Sequence, residues 1–198
     1  MTNSSNVTNK EKILLNEKFS LKLDALARER IWTSVDEILS HGPLALEENV
    51  GNTGLALGYV QSGKTTAITA LIAQAADSGY KIIITFLGST NLLLSQNASR
   101  IEKALGIGDN GERRDYTWFA MQNPSGTSSA KELADFISKD RTILISVLKH
   151  AGRIEALAEV LTKAGVGEVP TIIIDDEADQ ASLNTEVLDE SESKTYSA

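Results

Sequence analysis

The run Lys81–Leu87 (KIIITFL) sets apolar and β-branched residues side by side, with no alternation of apolar and polar positions. A strand of that composition needs cover on both faces, which is the situation of a parallel sheet between helical layers. Thr142–Val147 reads as a further strand and Thr171–Asp175 as another fully buried one, while Leu55–Leu57 is a short apolar strand and Tyr116–Met121 a weaker one. Between these runs the apolar period changes from strand-like to helical. Thr65–Ser78 carries Ile68, Leu71, Ile72 and Ala75 on one face and stops at Gly79. Thr90–Leu105 has the stripe Leu94, Ala98, Ile101 and Leu105, and Ile154, Leu157, Ala158 and Leu161 mark a helix closed by Gly165 and Gly167. Ser129-x-x-Glu132 has the spacing of a capping box, so a helix carrying Leu133, Phe136 and Ile137 is expected to start there, after a loop at Pro124–Ser128. This alternation predicts an α/β fold: a mainly parallel central sheet with helices on both faces, joined by right-handed crossovers.

The flanks differ in character. Residues 1–10 are rich in Asn, Ser and Thr and predict a disordered tail. Residues 11–50 predict an N-terminal helical segment, broken near Ser20 and stopped by His41-Gly42-Pro43, with Trp32 in the core. The α/β domain is expected over 51–185. Residues 186–198 (EVLDESESKTYSA) form a polar tail, read as a truncation point.

Composition narrows the chemistry. The 198 residues include no cysteine and only His41 and His150, far apart, so thiol nucleophiles, cysteine-ligated zinc and iron–sulfur clusters are excluded for this chain. The longest apolar runs are too short to span a bilayer, and the polar start is not a cleavable signal, so no membrane contact and a cytoplasmic address are expected. The net charge of −8 is local: residues 171–198 hold eight acids against Lys194 alone. Overall acidity therefore does not argue against a polyanionic partner.

Two motifs carry chemistry. Gly58-Tyr-Val-Gln-Ser-Gly63-Lys64-Thr65 fits the P-loop pattern, set between a short apolar strand and an amphipathic helix. Gly58 and Gly63 would let backbone N–H groups turn inward around a phosphate, and the helix that follows presents its positive end to the same anion. Gln61, Ser62, Lys64, Thr65 and Thr66 complete the expected phosphate contacts, with the Lys64 ammonium on the β- and γ-phosphates and the Thr65 hydroxyl on Mg2+. The second motif is Asp175-Asp176-Glu177-Ala178-Asp179, at the carboxyl end of a buried strand, where open α/β sheets hold their ligands. Asp176 is positioned to hold Mg2+, and Glu177 to orient and deprotonate an attacking water. A metal ion and Lys64 would relieve the repulsion among four acids in five residues.

Asp176-Glu177-Ala178-Asp179 resembles the signature of DEAD-type superfamily-two helicases. A closer resemblance is to the Z-one domain family, a helicase-like P-loop ATPase domain of endonuclease-type proteins. It rests on Gly58–Thr65, on Ala76-Asp77-Ser78-Gly79-Tyr80 before an apolar strand, and on Leu87-Gly88-Ser89-Thr90-Asn91-Leu92 with Gln96 and Arg100. It extends through Asp175–Thr185 (DDEADQASLNT) and so covers about residues 51–185. The resemblance implies a RecA-like P-loop NTPase domain that binds and hydrolyses ATP with Mg2+, with Asp179 coupling the nucleotide to the rest of the machine. It also implies a DNA translocase in restriction or phage defence, a second RecA-like domain outside this chain that supplies an arginine, and an attached nuclease domain or subunit. As an isolated domain the ATPase would be weak or inactive.

Two segments are candidates for polynucleotide contact. One is Ser89, Thr90 and Asn91 at a helix start, followed by Gln96, Arg100 and Lys103; a plain helix cap by Ser89 or Thr90 fits equally. The other is the basic stretch Lys139–Arg153, with Lys149 at the ligand-side end of its strand and His150 as a helix-entry residue. Without interleaved aromatics, binding would be directed at the backbone and sensitive to salt. Arg113 and Arg114 read as solvated loop residues. Two rival functions remain open: a module that holds nucleotide or nucleic acid without turnover, and a P-loop ATPase switch acting on protein partners.

Overall fold

In a computed structural model, which describes residues 9–42, 51–54 and 63–176, the described strands form a four-stranded, all-parallel sheet. The strands are β1 (Ile82–Phe86), β2 (Trp118–Gln122), β3 (Thr142–Val147) and β4 (Thr171–Asp175), in the order β2-β3-β1-β4. Six helices accompany them among the described residues: α1 (Lys10–Ser20), α2 (Ala25–Ser40), α3 (Lys64–Asp77), α4 (Asn91–Leu105), α5 (Gly126–Ser138) and α6 (Ala151–Ala164). The chain is thus α/β, with its strands alternating with helices from α3 onward. The strand expected at Leu55–Leu57 and the polar tail expected at 186–198 lie outside the described residues.

Strand order dictates the layers. From β1 the chain moves past β3 to β2, and from β2 and β3 it moves back toward β4. Crossovers of one hand place helices on opposite faces when they run in opposite directions. Accordingly α4 packs with Ile83, Leu144 and Trp118 on one face, and α5 and α6 pack with Ile84, Ile143 and Ile145 on the other. β1 and β3 are sealed from both sides, and their buried polar side chains, Thr85 and Ser146, hydrogen-bond each other at 3.1 Å.

The first face has an additional layer. α1 and α2 pack over α3, and Leu15, Phe19, Trp32 and Val35 share one core with Ala70, Ile72 and Ala73. The amphipathic reading of α3 is therefore too narrow: positions 69–75 are all buried, because the N-terminal helices cover the side turned away from the sheet. Trp32 is a core residue as expected, its indole N–H donating to Asn16 Oδ1 at 3.1 Å.

Two polar anchors lock this layer down. Asp77, at the end of α3, accepts the backbone N–H groups of Glu11 (3.1 Å) and Lys12 (2.9 Å), and so caps a helix whose own N-cap, Asn9, provides no side-chain bond. Arg113, between α4 and β2, donates to Glu11 Oε1 at 2.8 Å and to both oxygens of Asp115. Expected as a solvated loop residue, Arg113 is instead buried, because the N-terminal helix brings a carboxylate over it. Burial alone would lower its pKa, but hydrogen bonds and charge from Glu11 and Asp115 outweigh that and hold it well above the ordinary value. Beside it, burial and the Arg113 charge lower the pKa of Lys18, whose ammonium donates to Ala104 O at 2.7 Å in the last turn of α4.

Three local expectations are corrected. β4 is only partly buried: it pairs with β1 alone among the described strands, and Ile173 is 59% exposed because α5 and α6 lie over β3 and β1. The capping box does not form. α5 begins three residues earlier, at Gly126, and Ser129 Oγ instead accepts the Ser125 N–H at 3.2 Å. The weak strand begins at Trp118 rather than Tyr116, because Asp115 takes the Thr117 N–H and Tyr116 adopts a left-handed turn conformation.

Candidate nucleotide and polyanion edge

Each helix of an alternating parallel fold returns antiparallel to the strands, so helix N-termini collect at the carboxyl edge of the sheet. α3 joins β1 through residues 78–81 alone, so its first turn stands at the edge where β4 ends. Gly63 caps α3 in the left-handed conformation (φ 80°), where a side chain would be strained. Its carbonyl accepts the N–H groups of Thr66 (2.8 Å) and Ala67 (3.1 Å). No side chain caps this turn among the described residues, whereas Asp24 caps α2 and Thr90 caps α4. Lys64 is exposed, and Thr65 and Thr66 are half-buried. Gly58, Gln61 and Ser62 lie outside the described residues.

On β4, strand alternation separates two adjacent acids. Ile172 and Ile174 face α3 and α4, and Ile173 faces the opposite way. The ladder continues one step past the strand, with the Asp176 N–H donating to Phe86 O at 3.1 Å. Asp176 thus falls on the α3 side and Asp175 on the other. Asp175 is paired there with Lys149, Nζ to Oδ1 3.0 Å. Glu177 and Asp179 lie outside the described residues.

The two polynucleotide candidates meet at this edge. The Lys149 N–H donates to Gly88 O at 3.2 Å, joining the turn after β3 to the turn after β1. These neighbouring strands send their connections in opposite directions, the strand order at which open α/β sheets hold ligands. Ser89, Thr90 and Asn91 are exposed next to this link, with Thr90 Oγ1 accepting the Leu93 N–H at 3.3 Å. Gln96, Arg100 and Lys103 continue along the solvent side of α4, away from the buried stripe Leu94, Ala98, Ile101 and Leu105. His150 is the N-cap residue of α6, without a side-chain cap bond.

The basic stretch Lys139–Arg153 is not one patch. β3 runs through it, so Lys139 and Arg141 sit at the amino edge, about 20 Å from the turn that holds Lys149. Arg141 pairs there with Glu112 at 2.6 Å and Lys139 with Asp135 at 2.6 Å. Lys149 itself is not an open surface cation: its side chain is 11% exposed and bound to Asp175. Asn123 is a residue that sequence reasoning missed. Held at φ 45°, it accepts the Leu148 N–H on Oδ1 at 2.9 Å and ties the ends of β2 and β3 together. An Asn directly after a strand was the available signal.

Among the described residues no helix is long and apolar enough to cross a membrane. Comparison with protein-family models, with curated proteins and with solved structures gives no match to this chain.

Proposed function

We propose that this chain is a RecA-like P-loop ATPase domain of the Z-one, helicase-like type, which uses ATP and Mg2+ to drive remodelling of DNA together with a second RecA-like domain. The observation that carries the reading is the shared carboxyl edge of Gly63-Lys64-Thr65, heading α3, and Asp176, on the α3 side of β4. Gly63 in a left-handed cap at the head of a helix fits a phosphate chain, and a threonine hydroxyl with the Asp176 carboxylate would suit Mg2+.

In this reading the backbone N–H groups of residues 58–65, with Gln61, Ser62 and Thr66, hold the phosphates, and Lys64 offsets their charge. Thr65 and Asp176 hold the ion, Glu177 takes a proton from water, and Asp179 transmits the state of the site. Bound Mg2+ supplies charge neutralisation at the phosphates. Calorimetric titration of MgATP tests the assignment. Lys64→Ala should weaken binding by at least about tenfold, the scale of one charge-assisted phosphate contact. Equal binding by Lys64→Ala and wild type would overturn it.

Arg113 favours a second reading, a nucleotide-holding module with little turnover of its own. It is committed to Glu11 and Asp115 at the amino edge, away from any phosphate at the carboxyl edge. Steady-state hydrolysis by the isolated chain separates the two.

A further inference from the structure

The Lys149–Asp175 pair spans three strands. Lys149 follows β3, Asp175 ends β4, and β1 lies between them in the sheet. The lysine side chain therefore crosses the end of β1 to reach its carboxylate. Val147, Phe86 and Ile173 mark the same face of the three strands: Val147 and Phe86 pack with α5 and α6, and Ile173 alternates away from the α3 side. Asp176, one residue on, belongs to the opposite face. The lysine is held in place by backbone on both sides, its N–H on Gly88 O and the preceding Leu148 N–H on Asn123 Oδ1.

We propose that Lys149 is a positioning residue of the nucleotide site, which holds and neutralises Asp175 on the face where strand alternation puts it, so that of the two acids Asp176 faces the cation. This rests on the nucleotide reading given above. Two adjacent carboxylates without that lysine would both bias the turn toward a divalent ion, and an ion held tightly before nucleotide arrives opposes its entry and release with the phosphates. Lys149 keeps the site weak for bare cation and dependent on the nucleotide. It also links the turn after β1, where a polynucleotide is expected, to the first acid of the Asp175–Asp179 segment. A phosphate approaching Gly88–Asn91 would thereby be felt at the nucleotide site.

The test is binding of Mn2+ alone, without nucleotide, followed by its paramagnetic resonance signal. Lys149→Met should bind Mn2+ about tenfold tighter than wild type, the effect of one uncompensated carboxylate near a dication at a partly solvated edge. Lys149→Arg should stay within about twofold of wild type, and Lys149→Met/Asp175→Asn should return there, since the added charge is gone. A folded Lys149→Met within twofold of wild type would overturn the proposal, and so would a double variant that keeps the gain. If Lys149→Met fails to fold, Asp175→Asn decides: a Lys149 charge no longer offset by Asp175 should weaken Mn2+ binding by about tenfold, and no change overturns the role. MgATP titrated into wild type separates this from the underlying reading. No binding there sinks the nucleotide site, whereas MgATP binding with a flat Mn2+ series sinks only the role of Lys149.

Discussion

Arg113 and Glu11 form a buried two-pronged ion pair across 102 residues of sequence, joining the loop before β2 to the first turn of α1. Both side chains are at most 10% exposed, so neither charge has water to fall back on. Removing one partner strands the other, which typically costs about 3 kcal/mol or more. Arg113→Met should therefore lower the Tm by roughly 10 °C. Glu11→Met/Arg113→Met should recover part of that loss, because the double variant buries no unpaired charge at this point. Calorimetric melts of the three proteins check both expectations.

The same cluster sets an acid limit. Burial would raise the pKa of Asp115, but hydrogen bonds from Arg113, Lys10 and Thr117 outweigh it and hold the carboxyl far below its ordinary value of 3.8. A carboxylate depressed in the folded state adds stability that is present above its unfolded pKa and fades as pH falls toward the folded one. The Asp115 side chain is 40% exposed, so solvent screening keeps its share to about 1 kcal/mol. Asp115→Asn should lose that amount at pH 7 and show a shallower decline below about pH 4 in urea denaturation.

The readable parts of this fold are those whose cause is local. β3 and β4 fall on the expected residues because runs rich in β-branched side chains favour extended backbone, and α4 ends at Leu105 because Gly106 takes the left-handed cap. Arg113 has the sequence surroundings of a solvated residue because its partner, Glu11, is brought by a helix far away in sequence. α3 has an amphipathic pattern because nothing in its own residues announces that α1 and α2 cover its outer side. The site divides along the same line. Gly63-Lys64-Thr65 and Asp176 are recognisable from residue types and spacing. The commitment of Lys149 to Asp175 depends on the order β3-β1-β4, which no local pattern states.

Gly88 tests how tightly the turn after β1 is built. It adopts φ 68°, and a Cβ there would lie 2.8 Å from the Leu93 Cβ, in the first turn of α4. Gly88→Ala combines backbone strain with a clash against a helix, and should cost about 2 kcal/mol. A lower urea midpoint with an unchanged slope is the expected result. Ser89→Ala, one residue on and exposed, should be nearly silent in the same measurement.

The exposed side of α4 provides the last test, on the polynucleotide half of the proposed function. Gln96, Arg100 and Lys103 follow one another at helical spacing from the carboxyl edge, so a strand entering at Ser89–Asn91 could run along them. Contacts of this kind are electrostatic and release counterions. Each lost phosphate contact should reduce the slope of log affinity against log salt by about 0.7 for a single strand. Arg100→Ala and Lys103→Ala should each show that reduction with single-stranded DNA, and the double variant about twice as much. Gln96→Ala should weaken binding without changing the slope, since its amide carries no charge. Lys139→Ala, at the amino edge and paired with Asp135, should leave affinity and slope untouched. Equal slopes for Arg100→Ala, Lys103→Ala and wild type would remove α4 from the path of the strand.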